Sequence, residues 1–301
     1  MSYHIRVPAS TSNLGPGFDS VGLALNLYLD LYVLNSDKWE FIPLSSNLNG
    51  IPVGKDNLIY QIGSKVATRF GKKDLPPCRV EMTSNIPLAR GLGSSATATI
   101  AGIELANRTL DLNLSIEDKV ELATWIEGHP DNVVPSLIGG CIIGHYDGQV
   151  DWIKVSVDKA EFVAIIPEYE LKTSEARDVL PKELAYKKSV QASSIANVSV
   201  AAICMQDWAL VGKMMKKDLF HQPYRKQFIP HYDDIESYLE HSSYGVFLSG
   251  AGPTIMVVAD PKSVKENIEG WKKDYPEFKW FPLSVSNNGL EVTELYVEKS
   301  K

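Results

Sequence analysis

Between Val21 and Val33 every odd position from 23 to 31 is leucine, and Ala24, Asn26, Tyr28, Asp30 and Tyr32 stand between them. A period of two sustained over that length fits a strand with one face buried, and it predicts that an antiparallel sheet begins here. Val80 and Met82, alternating with Glu81 and Thr83, predict another strand. Between the two, Leu58, Ile62, Val66 and Ala67 recur at helical spacing from Asn57 to Phe70, and the pattern stops at Gly71. Small residues from Ser95 to Leu110 predict a second helix, and Ser115 paired with Asp118 caps a third that runs to about Glu127. Strands followed by paired helices indicate α+β layers and argue against a doubly wound parallel sheet.

A polar, charged stretch from Val150 to Lys159 separates two apolar strand candidates, Gly139 to Ile143 and Phe162 to Ile166. The chain, at 301 residues, is about twice the usual domain length, so a domain boundary is expected there, with one domain over 1–155 and a second over 156–301. In the second, helices around 174–180, 189–212, 233–241 and 261–274 alternate with strands 244–249, 254–259 and 278–284, as in a split β-α-β arrangement.

Composition removes several function classes. Apolar residues at 44% and charged residues at 22% describe a packed globular chain rather than a disordered one. A net charge of −7 offers no basic field for nucleic acid or anionic lipid, so any anion site must be local. The first residues, Met1 to Pro8, lack the apolar core of a signal peptide, and no run approaches the ~18 apolar residues of a membrane span, so a cytoplasmic location is expected. Cys78, Cys141 and Cys204 lie far apart among apolar neighbours and are expected to be buried, reduced thiols. No His-Glu-x-x-His pattern occurs, which argues against a transition-metal enzyme.

Three glycine-rich segments carry the chemistry. Gly91-Leu92-Gly93-Ser94-Ser95-Ala96 sits between the strand ending near Asn85 and the helix that follows. Its amides therefore emerge at a helix N-terminus, where the dipole favours an anion, glycines allow close approach, and two hydroxyls can bind phosphate oxygens or Mg²⁺. A plain turn into a packed helix is the alternative. The Walker pattern is absent. The segment does match Gly-x-Gly-x-x-Ala with Asp111 about 20 residues on, but no second strand follows, and Pro87 lies in the preceding connection, which counts against a dinucleotide site. Pro8 to Asp19 is a second segment, expected to be an irregular loop whose Asn13 and Asp19 grip polar substrate groups or simply form Asx turns. Leu248 to Thr254, joining two apolar strands, is the third.

Together these segments resemble, in order and spacing, the three motifs of the GHMP kinases. The form Pro-x-x-Thr-Ser-Asn-Leu-Gly-x-Gly-Phe-Asp at 8–19 is most similar to the homoserine kinases, as are His129-Pro130-Asp131-Asn132-Val133, Thr173 to Pro181, and Pro223-Tyr224-Arg225. The resemblance implies two α+β domains, ribosomal-protein-S5-like then ferredoxin-like, with ATP between them, and phosphoryl transfer to the side-chain hydroxyl of L-homoserine in threonine biosynthesis.

It also implies roles. Gly91, Gly93, Ser94 and Ser95 would cradle phosphates with Leu92 and Ala96 beside them, and Ser95 with Glu121 would hold Mg²⁺. Asn57 would belong to the adenine pocket; Pro87 and Arg90 precede the phosphate loop, where Arg90 departs from the small residue of many relatives and either adds charge or faces solvent. Asn13, Asp19, His129, Thr173, Arg177 and Arg225 would surround homoserine. Asp19 suits its ammonium, and the guanidinium forks of Arg177 and Arg225 suit its carboxylate. Homoserine kinases are thought to lack a dedicated base, so Asn132 is assigned an orienting role, with Asp131 a structural carboxylate or a base. Alternatives are a mevalonate-type kinase, which needs no ammonium partner, and an inactive ligand-binding protein on the same fold. The sequence leaves oligomeric state open, a homodimer included.

Overall fold

The computed structural model describes residues 2–295. Its strands are β1 (Ser2–Ser12), β2 (Val21–Asn35), β3 (Glu40–Pro43), β4 (Cys78–Ser84), β5 (Cys141–Tyr146), β6 (Val150–Val155), β7 (Glu161–Ile166), β8 (Gly245–Leu248), β9 (Ile255–Ala259), β10 (Lys279–Leu283) and β11 (Glu291–Leu295). Its helices are α1 (Leu58–Arg69), α2 (Ser94–Thr109), α3 (Ile116–Glu127), α4 (Val133–Ile138), α5 (Thr173–Asp178), α6 (Tyr186–Met205), α7 (Trp208–Met215), α8 (Gln222–Arg225), α9 (Tyr232–Tyr238) and α10 (Pro261–Asp274).

The alternating leucines lie in β2, the hub of a seven-stranded sheet in the order β11-β1-β2-β4-β3, with β5 also pairing with β2 and β6 with β5. All pairs are antiparallel except β3 with β4. The second sheet runs β10-β7-β9-β8, the order of a split β-α-β unit, and is antiparallel throughout. It is covered on both faces, which is why its strands are continuous apolar runs. Phe162, Ala164, Phe247 and Met256 enter the large core beside Ile203, Trp208 and Val211. Val163, Ile165, Leu248 and Val257 enter a smaller core with Tyr232, Ile235 and Trp271. Among the described residues no helix is long and apolar enough to cross a membrane.

Several expectations change. Pro8 to Ser12 is not a loop: the strand continues past a bulge at Pro8/Ala9 and pairs Ala9 with Leu25 through Ser12 with Gly22, leaving only 13–20 irregular. Small side chains that signal a loop here let a fully buried strand pass beneath the phosphate loop. A boundary at 155/156 divides the two sheets, but β11 returns to pair with β1, so the chain's last strand belongs to the first sheet. The helix expected over 189–212 is two, because Gln206 turns left-handed and Asp207 caps α7 through the Leu210 amide. Cys78 and Cys141 are buried, but Cys204 is exposed on α6.

Candidate active site

The three glycine-rich segments meet at one point. Gly91 and Gly93 have φ of +76° and +70°, and a Cβ would collide with the Ser249 carbonyl at the first and the Ser10 hydroxyl at the second. Both demands, left-handed backbone and no side chain, select glycine. The Ser249 hydroxyl donates to the Gly91 carbonyl at 2.7 Å and lies 2.7 Å from Thr11 Oγ1. Ser10 bonds the Asn132 carbonyl at 3.0 Å and accepts from Asn132 Nδ2 at 3.1 Å. Asn13 Nδ2 donates to the Gly250 carbonyl at 3.2 Å. From this junction α2 starts at Ser94 with Gly93 as its N-cap, and no side chain bonds the cap. The free amides of its first turn suit an anion.

A polar cleft opens over the junction. Asn13, Asp19, His129, Asp131, Asn132, Thr173, Arg177 and Arg225 line it together with Gly91 and Gly93 to Ala96, so the sites expected for homoserine and for phosphate share one cavity. Asp19 is gripped by Arg177, NH2 to Oδ1 at 3.0 Å and NH1 to Oδ2 at 3.3 Å. His129 Nδ1 lies 2.5 Å from Asp131 Oδ1. Burial opposes charge on this imidazole, but the Asp131 hydrogen bond and charge prevail and raise its pKa. Arg225 is buried, donates through Nε to the Ala176 carbonyl and through NH1 to the Gly250 carbonyl, each at 3.0 Å, and lies over the Phe18 ring. Burial first, and then Arg177, lower its pKa to about 10, which leaves it cationic at neutral pH. Among the described residues its NH2 makes no hydrogen bond, nor does Asn132 Oδ1.

A second cavity of about 560 Å³ adjoins the cleft, sharing Ala89, Ser94, Ser95, Leu171 and Thr173 with it. Its walls are mostly apolar: Leu48, Ile51, Ile59, Met82, Ile86 and Leu88. Asn57 lines it as expected, although its side chain is committed to capping α1, accepting from the Ile59 amide at 3.0 Å and donating to the Pro52 carbonyl at 2.8 Å. The two cavities meet at Ser94 and Ser95, at the start of α2.

Four expected residues stand elsewhere. Glu121 does not line the cleft; its Oε1 accepts from the Val150 amide at 3.0 Å and holds the start of β6. Glu127, six residues later on α3 and thus about 9 Å further along the axis, is the carboxylate that lines it. Burial raises the Glu127 pKa, Asp131 adds to the rise, and His129 and Arg177 offset part of it. Arg90 faces neither phosphate nor open solvent. It donates to the Pro167, Leu88 and Glu168 carbonyls and pairs with Glu170, tying the phosphate loop to the connection after β7. Pro87 lines neither cavity, and the Leu92 side chain is buried in the core.

The GHMP kinases N terminal domain family matches residues 57–140, and the GHMP kinases C terminal family matches 199–277. A homoserine kinase of Bacillus velezensis is 47% identical over 303 aligned residues, covering 100% of this chain and 98% of that protein. A homoserine kinase of Bacillus pumilus is 51% identical, covering 97% and 94%. The crystal structure of homoserine kinase from Cytophaga hutchinsonii superposes with a TM-score of 0.83 at 27% identity, covering 97% of each chain. A mevalonate kinase structure reaches 0.70 at 17% identity over 95% of this chain and 99% of its own, a likeness of fold alone.

Proposed function

The chain belongs to the GHMP kinase family, and from that premise we propose that it transfers the γ-phosphoryl group of ATP to the side-chain hydroxyl of L-homoserine, a step of threonine biosynthesis. The observation that carries the substrate is the presence of Asp19, Arg177 and Arg225 in the same cleft as Ser94 and Ser95. A neutral alcohol has no use for two guanidinium groups and a carboxylate; an amino-acid zwitterion has a partner for each. Mevalonate kinases share the fold, so fold does not choose between acceptors, whereas Asp19 favours one with an ammonium.

In this reading the adenine occupies the apolar cavity, the triphosphate crosses the first turn of α2, and homoserine lies in the polar cleft with Asn13, His129 and Thr173 around it. Asn132 Oδ1, unbonded among the described residues, accepts the acceptor hydroxyl and fixes its direction. Asp131 is tied to His129, which supports a structural carboxylate that orients the imidazole at the cleft wall. A loose transition state asks mainly for positioning and charge neutralisation, and the hydroxyl proton passes to phosphate. Ser95 and Glu127 are the oxygen donors that would hold Mg²⁺, and a buried carboxylate with a raised pKa is one that a cation would relieve. When bound, the ion supplies charge neutralisation on the phosphates.

ADP release from ATP in a coupled assay, run over small alcohols that include L-homoserine and mevalonate, tests the assignment. Turnover selective for L-homoserine is expected; equal turnover of mevalonate would overturn it.

A further inference from the structure

His221 is fully buried, does not line the cleft, and has no part in the reaction described above. Its surroundings are nevertheless specific. Its Nε2 lies 2.9 Å from the Gly15 carbonyl, which can only accept, so Nε2 carries the proton. The other nitrogen, Nδ1, therefore presents a lone pair, and Arg225 NH1 stands 3.4 Å from it. The ring stacks on Phe18 with centroids 5.3 Å apart and planes 18° apart, and the Arg225 guanidinium lies 5.1 Å from the same Phe18 ring. One imidazole thus touches the Asn13 to Ser20 turn that carries Asp19 and also the arginine that faces the cleft.

We propose that His221 is the positioning residue of the acceptor site, holding Arg225 by a neutral, single-tautomer imidazole so that NH2 stays directed to a substrate carboxylate that His221 never touches. The inference rests on the reading of Arg225 as a carboxylate ligand. A side chain here must donate to Gly15 on one edge and accept from a guanidinium on the other, in a rigid plane that can stack. Neutral histidine does all three. The charged groups facing it are Asp218, whose Oδ2 is 3.4 Å from Nε2, Arg225 on α8, and Asp19 from the turn. Burial and Arg225 disfavour the imidazolium, Asp218 and Asp19 favour it, and the balance lowers the pKa. Protonation would turn Nδ1 from an acceptor into a donor aimed at another donor.

The test is a double-mutant cycle on the full-length enzyme, with KM for L-homoserine, KM for ATP and kcat measured for His221→Gln, Arg225→Lys and the pair. Gln keeps an N–H toward Gly15 and removes the acceptor facing Arg225. KM for homoserine is expected to rise about tenfold, with kcat and KM for ATP changed less than about twofold, since displacement of a binding group acts on the ligand it holds. Because both residues act through one contact, the pair should be no worse than Arg225→Lys alone. Additive losses, or an unchanged KM in His221→Gln, overturn the proposal. An unchanged KM in Arg225→Lys overturns the reading of Arg225 itself. The cycle is repeated with His221→Asn, which keeps an acceptor near Nδ1 and should cost less than Gln; the reverse order also overturns the proposal, and one variant failing to fold leaves the other cycle to decide.

Discussion

Arg177 and Asp19, the residues suited to the carboxylate and the ammonium of one substrate, hold each other through both terminal guanidinium nitrogens at 3.0 and 3.3 Å. In the proposed site the acceptor divides this ion pair. A zwitterion restores a partner to each half, whereas 4-hydroxybutyrate, with a carboxylate and no ammonium, leaves Asp19 without its cation. Both side chains are more than a third exposed, so solvent screens the loss to about 1 kcal/mol, and kcat/KM for 4-hydroxybutyrate should fall below that for L-homoserine by about fivefold. Asp19→Asn should narrow the gap by weakening only homoserine. Steady-state kinetics of both acceptors with both proteins check this, and a gap unchanged by Asp19→Asn would remove Asp19 from the ammonium site.

Glu127 and Glu121 lie on the same helix, and of the two only Glu127 lines the cleft. Glu127→Gln should lower kcat by about 10²–10³ and shift the Mg²⁺ dependence to higher concentration, because a charge-neutralising contact at the phosphates is lost. Glu121→Ala should keep near-normal turnover and lose about 1 kcal/mol of stability, the worth of one hydrogen bond to β6. Rates across a Mg²⁺ series and chemical denaturation separate the two. A Glu121 variant that loses turnover while folded would restore the metal role to that residue.

The choice between the two glutamates is not legible in the sequence for a physical reason. Apolar periodicity locates α3, and Ser115 with Asp118 fixes its start, where the structure has a full capping box. Neither says which face of α3 meets the phosphate loop, so two glutamates six residues apart cannot be ranked from the sequence. A usable signal was the Gly128 break: Glu127 sits on the last turn, beside the segment that carries His129 and Asp131, and moves with them. Asn13, Asp19, His129, Thr173, Arg177 and Arg225 were legible because they belong to compact motifs, and all six line the cleft. Arg90 was not, because besides the nearby Leu88 carbonyl its partners lie on the connection after β7, 77 or more residues away, which no local pattern records. Nor did Pro8 to Ser12 look like a strand, since strand propensity favours β-branched and aromatic residues on a half-buried surface, whereas this strand is covered on both sides and lies under a loop.

Gly93→Ala tests the junction of the three segments. Alanine at φ +70° costs about 1–2 kcal/mol from the backbone alone, and its methyl would meet the Ser10 hydroxyl, which also bonds Asn132. Thermal stability should fall and ATP affinity by titration calorimetry should drop, with the homoserine site disturbed through Asn132. Gly50, also left-handed at φ +85° but with open space around it, provides the control: Gly50→Ala should cost stability without loss of ATP affinity.

Two histidines give the molecule opposing pH dependences. His221 is buried and neutral with a pKa below the ordinary 6.5, burial being the main cause, so the unfolded chain takes up its proton first as pH falls. Its contribution is complete above the unfolded value and is lost as pH drops through about 6.5 toward the folded value. His129 has a raised pKa, burial being outweighed by Asp131, so its contribution is complete below the unfolded value and fades as pH rises through the folded one. Denaturant unfolding between about pH 7.5 and 5.5 should therefore show a steeper acid loss in His129→Gln than in wild type, because the stabilising partner of the pair is gone. In His221→Asn the same interval should be flatter, because no buried imidazole remains to be protonated there. Identical slopes in all three proteins would mean that neither ring changes its proton affinity on folding, and the neutral tautomer assigned to His221 would have to be abandoned.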